Sequence, residues 1–224
     1  MATRSAPSPG RRQRRRQETI EEVLGIAVEI MTEQGVAGLS IGEIARRMGI
    51  RPPSLYVYFP SKNALYDALF ERGAQSVLAA VEATDAFSGA DEATLEEALL
   101  DVGRAFVRWS LEHPAYSQLL WWRPVPGFQP SEQAYEPAVR LTERASAVIT
   151  GLQRRGLLRP DVPAGQVYRD WTVIVSGVVS QQLANAPGEG FDQGRFTAAL
   201  PEMASMFARH YGQPETASHE EGPS

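Results

Sequence analysis

A chain of 224 residues can hold one large domain or a small one joined to a medium one, and with 43% hydrophobic residues it can bury a core. The absence of cysteine excludes a disulfide framework, a thiolate metal site and a cysteine nucleophile, and fits a cytoplasmic home. A net charge of −5 argues against a nucleic-acid partner only if it is evenly spread, and it is not: residues 1–70 hold 10 Lys and Arg against 7 Asp and Glu, whereas residues 71–224 hold 12 against 20.

The amino terminus carries arginines with no apolar stretch behind them, which does not make a secretory signal. The longest apolar run, residues 171–179, falls far short of the roughly twenty residues of a membrane span. Residues 1–16 are expected to be a disordered basic arm. Its Arg11–Arg16 run, RRQRRR, reads either as an arm lying along DNA or as a solvated tail. From Thr19 to Gln34, Ile20, Val23, Leu24, Ala27, Ile30 and Met31 keep one helical face, and Gly35 ends the helix.

Leu39–Asp67 limits the function most. Ser40 can cap a helix and Glu43 stands where a capping box needs it; Ile41, Ile44, Ala45 and Met48 form a buried stripe, and Gly49 closes the helix. After Ile50 and Arg51, Pro52 and Pro53 open a second short helix in which Leu55 and Phe59 point inward and Ser54, Tyr56 and Tyr58 outward. Ser61 caps a third, running from Lys62 to about residue 83. Two short helices around a glycine-containing turn, with an outward hydroxyl, phenol and guanidinium face, make a helix-turn-helix. Ser40, Arg51, Pro53, Ser54, Tyr56, Tyr58 and Lys62 are the candidate DNA-binding residues.

The run Ser40–Leu65, with Ile44-Ala45, Gly49-Ile50, Ser54-Leu55-Tyr56, Tyr58-Phe59 and Ser61-Lys62, resembles the DNA-binding domain of the TetR family of bacterial transcriptional regulators over roughly residues 17–67. Tyr58 stands where that family often has histidine, and the Pro52-Pro53 pair replaces a commoner single small residue. The resemblance implies an all-α protein with a helix-turn-helix domain at 17–67 and a helical ligand-binding and dimerisation domain at 68–212. It further implies a homodimer on a palindromic operator, most often a repressor released by a small hydrophobic effector.

Further along, helices are expected over residues 91–113, 115–122, 131–155, 166–185 and 194–211, with a loop at 84–90 and a disordered tail at 213–224. The 131–155 helix should turn Ala138, Leu141, Ala145, Val148, Ile149 and Leu152 inward. The 166–185 helix is apolar almost all round, which a second subunit would explain; with 194–211 it is the expected dimer contact. Phe106, Trp109, Tyr116, Trp121, Trp122, Phe128, Tyr135 and Trp171 are either core or the wall of an effector pocket, with residues 123–129 as its mouth. His113, His210 and His219 have no metal-ligand spacing, and no nucleophile motif or phosphate loop is present, so neither enzyme activity nor a cofactor is expected. A ligand-independent architectural DNA-binding protein is the alternative, and an enzyme or carrier using the pocket a more distant one.

Overall fold

The computed structural model describes residues 9–84, 86 and 94–213, and they are all-helical, with no strand among them. Eight α-helices are described: α1 (Pro9–Gln34), α2 (Ile41–Arg47), α3 (Lys62–Glu82), α4 (Leu95–Glu112), α5 (Pro114–Trp121), α6 (Glu132–Arg154), α7 (Ala164–Asn185) and α8 (Leu200–Tyr211). Most of the expected loop at 84–90, the start of the expected 91–113 helix and nearly all of the carboxy-terminal tail lie outside the described residues.

The chain forms two compact units, and they do not follow the boundary expected at residue 67. Among the described residues the first comprises 9–75 and 113–136, the second those from 76 to 112 and from 137 to 213. In the first unit α1 packs on α2 and buries Val23, Leu24, Ala27, Ile30 and Met31, as their spacing predicts, while Ile20 is half-buried; Ile44 and Ala45 of α2 and Leu65 and Leu69 of α3 are buried too. Gly35 and Gly49 take φ of 78° and 67°, left-handed values that end a helix without a Cβ clash, and the Ile50 amide closes back on the Ala45 carbonyl at 3.0 Å. Tyr66, fully buried, donates its hydroxyl to the Val36 carbonyl at 2.7 Å and so pins α3 to the 3₁₀ turn Val36–Gly38.

Segment 113–136 belongs to this same unit. Tyr116 presses on α3 so closely that a Cβ at Gly73 would stand 2.7 Å from its ring. Phe128 lies 5.5 Å from Tyr66, and Tyr135 6.1 Å from Phe70. The Asp67 carboxylate accepts from the Ser131 amide and hydroxyl at 2.7 and 2.6 Å, while Ser131 Oγ caps α6 by accepting from the Ala134 amide.

The second unit packs α4, α7 and α8 together. Gly103 of α4 sits under Trp171, where a Cβ would come within 2.9 Å of the indole. Trp171 meets Phe207 edge-on at 5.2 Å, and Tyr211 hydrogen-bonds Asp170. The last helix starts at Leu200 rather than 194, because the chain before it is held another way. Fully buried Gln182 accepts from the Phe196 amide at 3.0 Å and donates to the Ala186 carbonyl at 2.8 Å, and the Thr197 hydroxyl donates to the Phe191 and Gly194 carbonyls. Along α6 only Leu152 of the expected stripe is buried; Ala138, Leu141, Ala145, Val148 and Ile149 are half-exposed.

Candidate nucleic-acid interface

The helix-turn-helix departs from expectation in three places. First, the arginine run is not an irregular arm: α1 extends through it to Pro9. Arginine and glutamine are strong helix formers, and Arg14–Glu18 at 3.7 Å and Gln17–Glu21 at 3.0 Å join successive turns. Secondly, the segment expected as an α-helical recognition element is a tighter turn. Pro52–Ser54 is 3₁₀, with Ser54 and Leu55 amides bonded to Arg51 and Pro52 carbonyls at 2.9 and 3.0 Å, before Phe59 returns to Leu55 at 2.9 Å. The prolines cost no bond in a first turn; the piece is short, with Ser54, Leu55 and Tyr58 bonded three residues back and only Phe59 four back.

Thirdly, Ser40 makes no capping bond and Glu43 is engaged elsewhere. Its carboxylate takes Arg46 Nε at 2.7 Å and Arg47 Nε at 3.0 Å, charge-assisted bonds that outcompete a backbone cap. Arg47 also reaches Glu33 and, at 3.7 Å, Glu29, so that the acidic side of α1 fastens α2. Bonds from Arg46 and then Arg47 lower the Glu43 pKa from 4.5 to about 2, and the bonds from Glu33 and Glu43 raise that of Arg47.

A carboxyl depressed in this way stabilises the fold fully above its unfolded-state value and progressively less as pH falls toward the folded-state one. Thermal stability of the protein should therefore hold from neutral pH to roughly 5 and decline from there toward 2. Glu43→Gln should lower the melting temperature at pH 7 and flatten that acid decline. A melting profile against pH that superimposes on wild type would show that the cluster does not hold α2.

The outward residues form a continuous surface. Arg51, Pro53, Ser54, Tyr56 and Lys62 are exposed, Tyr56 by 50%, and Arg51 has no ion-pair partner among the described residues. Tyr58 is half-buried, with the Arg16 guanidinium 5.7 Å above its ring. The Lys62 ammonium lies 3.3 Å from the Ala37 carbonyl and 5.4 Å from the Tyr66 ring, at the start of α3, where the Ser61 hydroxyl accepts from the Ala64 amide. A shallow groove of about 670 Å³ runs past Ser40, Gly42, Tyr56, Ser61 and Lys62. Val57, 74% exposed between the two tyrosines, was not among the expected residues. A valine reads as core by its chemistry, and only the turn geometry sends it outward.

Known proteins match both units. The family described as bacterial regulatory proteins, tetR family, covers residues 23–69, and that described as tetracyclin repressor-like, C-terminal domain, covers residues 99–217, more than half the chain. The chain belongs to the TetR family. The members of that family are described as bacterial regulatory proteins. It is 28% identical over 98 residues to the uncharacterized HTH-type transcriptional regulator YobS of Bacillus subtilis, covering 44% of this chain and 49% of that one. It is 41% identical over 51 residues to the class C tetracycline repressor of Escherichia coli, covering 23% of each. The matched part thus spans half or less of these relatives.

Among solved structures, a protein of unknown function from Rhodococcus sp. RHA1 superimposes with a TM-score of 0.71 at 22% identity, over 87% of this chain and 95% of that one. A TetR family transcription regulator from Marinobacter aquaeolei VT8 does so at 0.64 and 21%, over 90% and 100%. The TetR resemblance read from residues 40–65 therefore extends over both halves of the chain.

The eight aromatics expected around a TetR effector pocket are divided between the units. Phe106, Trp109 and Trp171 lie buried in the second, with Trp109 Nε1 donating to Ser76 Oγ at 2.9 Å. Tyr116, Trp121, Trp122, Phe128 and Tyr135 lie in the first; Tyr116 is buried, Trp121 and Phe128 half-buried, and Trp122 and Tyr135 are 44% and 48% exposed. Trp171 Nε1 is buried without a hydrogen-bond partner. A surface groove of about 640 Å³ in the second unit is lined by Arg159, Asp161, Arg209 and His210 and includes none of these aromatics. No cluster of three or more metal-ligating side chains and no helix long and apolar enough to cross a membrane occurs among the described residues.

Proposed function

We propose that the protein is a homodimeric, effector-responsive repressor that holds a palindromic operator through Arg51–Lys62 and leaves it when a small hydrophobic molecule binds. The observation that carries the DNA reading is the exposed face itself. Hydroxyl, phenol and cationic groups of Ser40, Tyr56, Ser61 and Lys62 border one groove, with Ser54 exposed on the turn before it, backed by a buried stripe that fixes their positions. Lys62 and Arg51 suit phosphates, Ser54 and Tyr56 suit backbone or base edges, and Val57 suits a thymine methyl.

One such element reads few bases, so a pair about 34–36 Å apart on two subunits is needed for an operator. The outward stripe of α7 supports that pairing: Val173 is 66% exposed, and Gly177, Gln181 and Ala184 follow it on the same side. On α8, Met206 is 49% exposed.

Effector response is supported by two features. A buried indole donor without an acceptor costs about 1–3 kcal/mol, which a ligand carbonyl or hydroxyl beside Trp171 would recover. Segment 113–136 carries five candidate pocket aromatics and is built into the same unit as the DNA-binding face, so a ligand that displaces it acts on that unit directly. The ligand shifts DNA affinity only by as much as it prefers one arrangement over the other.

Selection from a random duplex pool at near-physiological salt tests the reading. The expected product is a palindrome of two half-sites about one helical turn apart. Hydrophobic compounds bearing a carbonyl should then release the wild-type protein from it but not Trp171→Phe, whose compound-free affinity stays unchanged. Recovery of unpatterned DNA alone would overturn the regulator reading; a palindrome that no compound releases would leave the architectural alternative.

A further inference from the structure

The arginine helix at the front of α1 has no role in an operator contact made by Arg51–Lys62 alone, and its geometry gives it one. Arg11, Arg12, Arg14, Arg15 and Arg16 are all exposed, and only Arg14 has a carboxylate partner among the described residues, Glu18 at 3.7 Å. Like charges on two consecutive turns repel one another, and they also sit at the positive end of the helix dipole. An anion lying alongside relieves both costs.

The side on which that anion lies is marked by Arg16, whose guanidinium stands over Tyr58 of the recognition segment. Arg12 is one turn before Arg16 on the same face, about 6 Å further along the axis. Arg11 and Arg15 pair on a face roughly 100° away. The line Tyr58, Arg16, Arg12 therefore continues the DNA-facing surface outward from the turn.

Its rigidity decides which part of the duplex it meets. An extended arm can thread a minor groove about 6 Å wide; an α-helix about 10–12 Å across with its side chains cannot. With the major groove taken by the recognition segment, the surface left to α1 is the phosphate backbone beside it.

We propose that the first two turns of α1 are a second DNA contact, a helical clamp in which Arg12 and Arg16 engage backbone phosphates flanking each half-site and add affinity without sequence preference. This rests on the DNA-binding reading of Arg51–Lys62.

The test uses the full-length chain, the duplex selected by the wild-type protein and an unrelated duplex, with binding measured from low to moderate salt. Glutamine keeps the helix propensity while removing the charge. In Arg12→Gln/Arg16→Gln the slope of log affinity against log salt should become less negative by about 0.9 for each phosphate released, or roughly 3.6 per dimer. Affinity near physiological salt should fall at least about tenfold on both duplexes, while the selected consensus stays the same. Arg11→Gln/Arg15→Gln, with the same charge removed from the other face, should change the slope by clearly less.

Unchanged affinity and slope in the first variant would make the run a solvated tail. Equal effects of the two pairs would make it diffuse charge and not a clamp. A consensus that loses A·T preference beside the half-sites would mean an unwound arm in the minor groove. Each of these overturns the proposal. Failure of the wild-type protein to select a palindrome would instead remove the underlying reading, and the slopes on the unrelated duplex would still decide whether the arginines meet phosphate.

Discussion

Val173→Asp is expected to give a folded monomer that no longer holds its operator. Val173 stands 66% exposed on α7, on a stripe continued by Gly177, where an added Cβ meets nothing within 4 Å. Within its own subunit the substitution removes little packing, so helicity should be kept and the subunit's own stability should shift by no more than about 0.5 kcal/mol, as for other surface changes, apart from what the lost dimer contributed. Across a twofold interface it acts twice, because an isologous contact uses the same patch on both subunits.

Losing a buried valine costs about 1.5–3 kcal/mol per copy, and an unpaired carboxylate in the contact costs more. The dimer constant should weaken by about 10²–10⁴-fold, enough to leave monomer at micromolar concentration. Operator affinity falls with it, since a single recognition segment cannot span a palindrome. Light scattering on a sizing column reads the first effect, and mobility shift the second. A variant that remains dimeric at wild-type strength would place the contact elsewhere, with the half-exposed stripe of α6 the next surface to test.

What the sequence discloses, and what it hides, divides along the range of the interactions involved. Local signals were legible: Gly35 and Gly49 take the left-handed φ their places imply, and Ser61 caps α3 by accepting from Ala64. So was the centre of the buried face of α1 and α2, because a stripe at 3.6-residue spacing needs no knowledge of its partner, although Ile20, Ile41 and Met48 at its ends are only half-buried.

Competition between local signals was harder. Ser40 and Glu43 have capping-box spacing, yet Glu43 is drawn to Arg46 and Arg47, and charge-assisted bonds win over a neutral one. The arginine run looked too charged to fold, but strong helix propensity and pairing to Glu18 carry the helix through it. Pro52-Pro53 announces a helix start, and the segment that begins there is a 3₁₀ turn through Ser54.

Long-range partners were hidden. Nothing in the spacing of Tyr116, Phe128 or Tyr135 says that they pack on Gly73, Tyr66 and Phe70, which moves segment 113–136 into the amino-terminal unit. Gln182 was invisible for the same reason: a polar residue on an apolar helix is buried because loop backbone at Ala186 and Phe196 comes to meet it. Periodicity names a face, and only the folded chain names what covers it.

Substitutions at Lys62 and Val57 should separate positioning on DNA from reading it. Lys62 is exposed at the start of α3 and its ammonium makes only a long bond to the Ala37 carbonyl at 3.3 Å, so Lys62→Met keeps the stem over Tyr66 and costs the fold little. On DNA it removes one phosphate contact per subunit. The slope of log affinity against log salt should become less negative by about 1.8 for the dimer, with affinity lower by about 10–100-fold on every sequence alike.

Val57 carries no charge, so Val57→Ser should leave the salt slope and the affinity for unrelated DNA where they are. If the valine packs on a thymine methyl, the selected consensus relaxes at one position in each half-site, and the operator is bound about 1–3 kcal/mol less tightly for each half-site concerned. Because the palindrome presents both contacts twice, the cost at one half-site is met again at the other. Should Lys62→Met relax the consensus, or Val57→Ser change the salt slope, the turn would be docked in another orientation, with α3's first residue at the base edges and Val57 against the backbone.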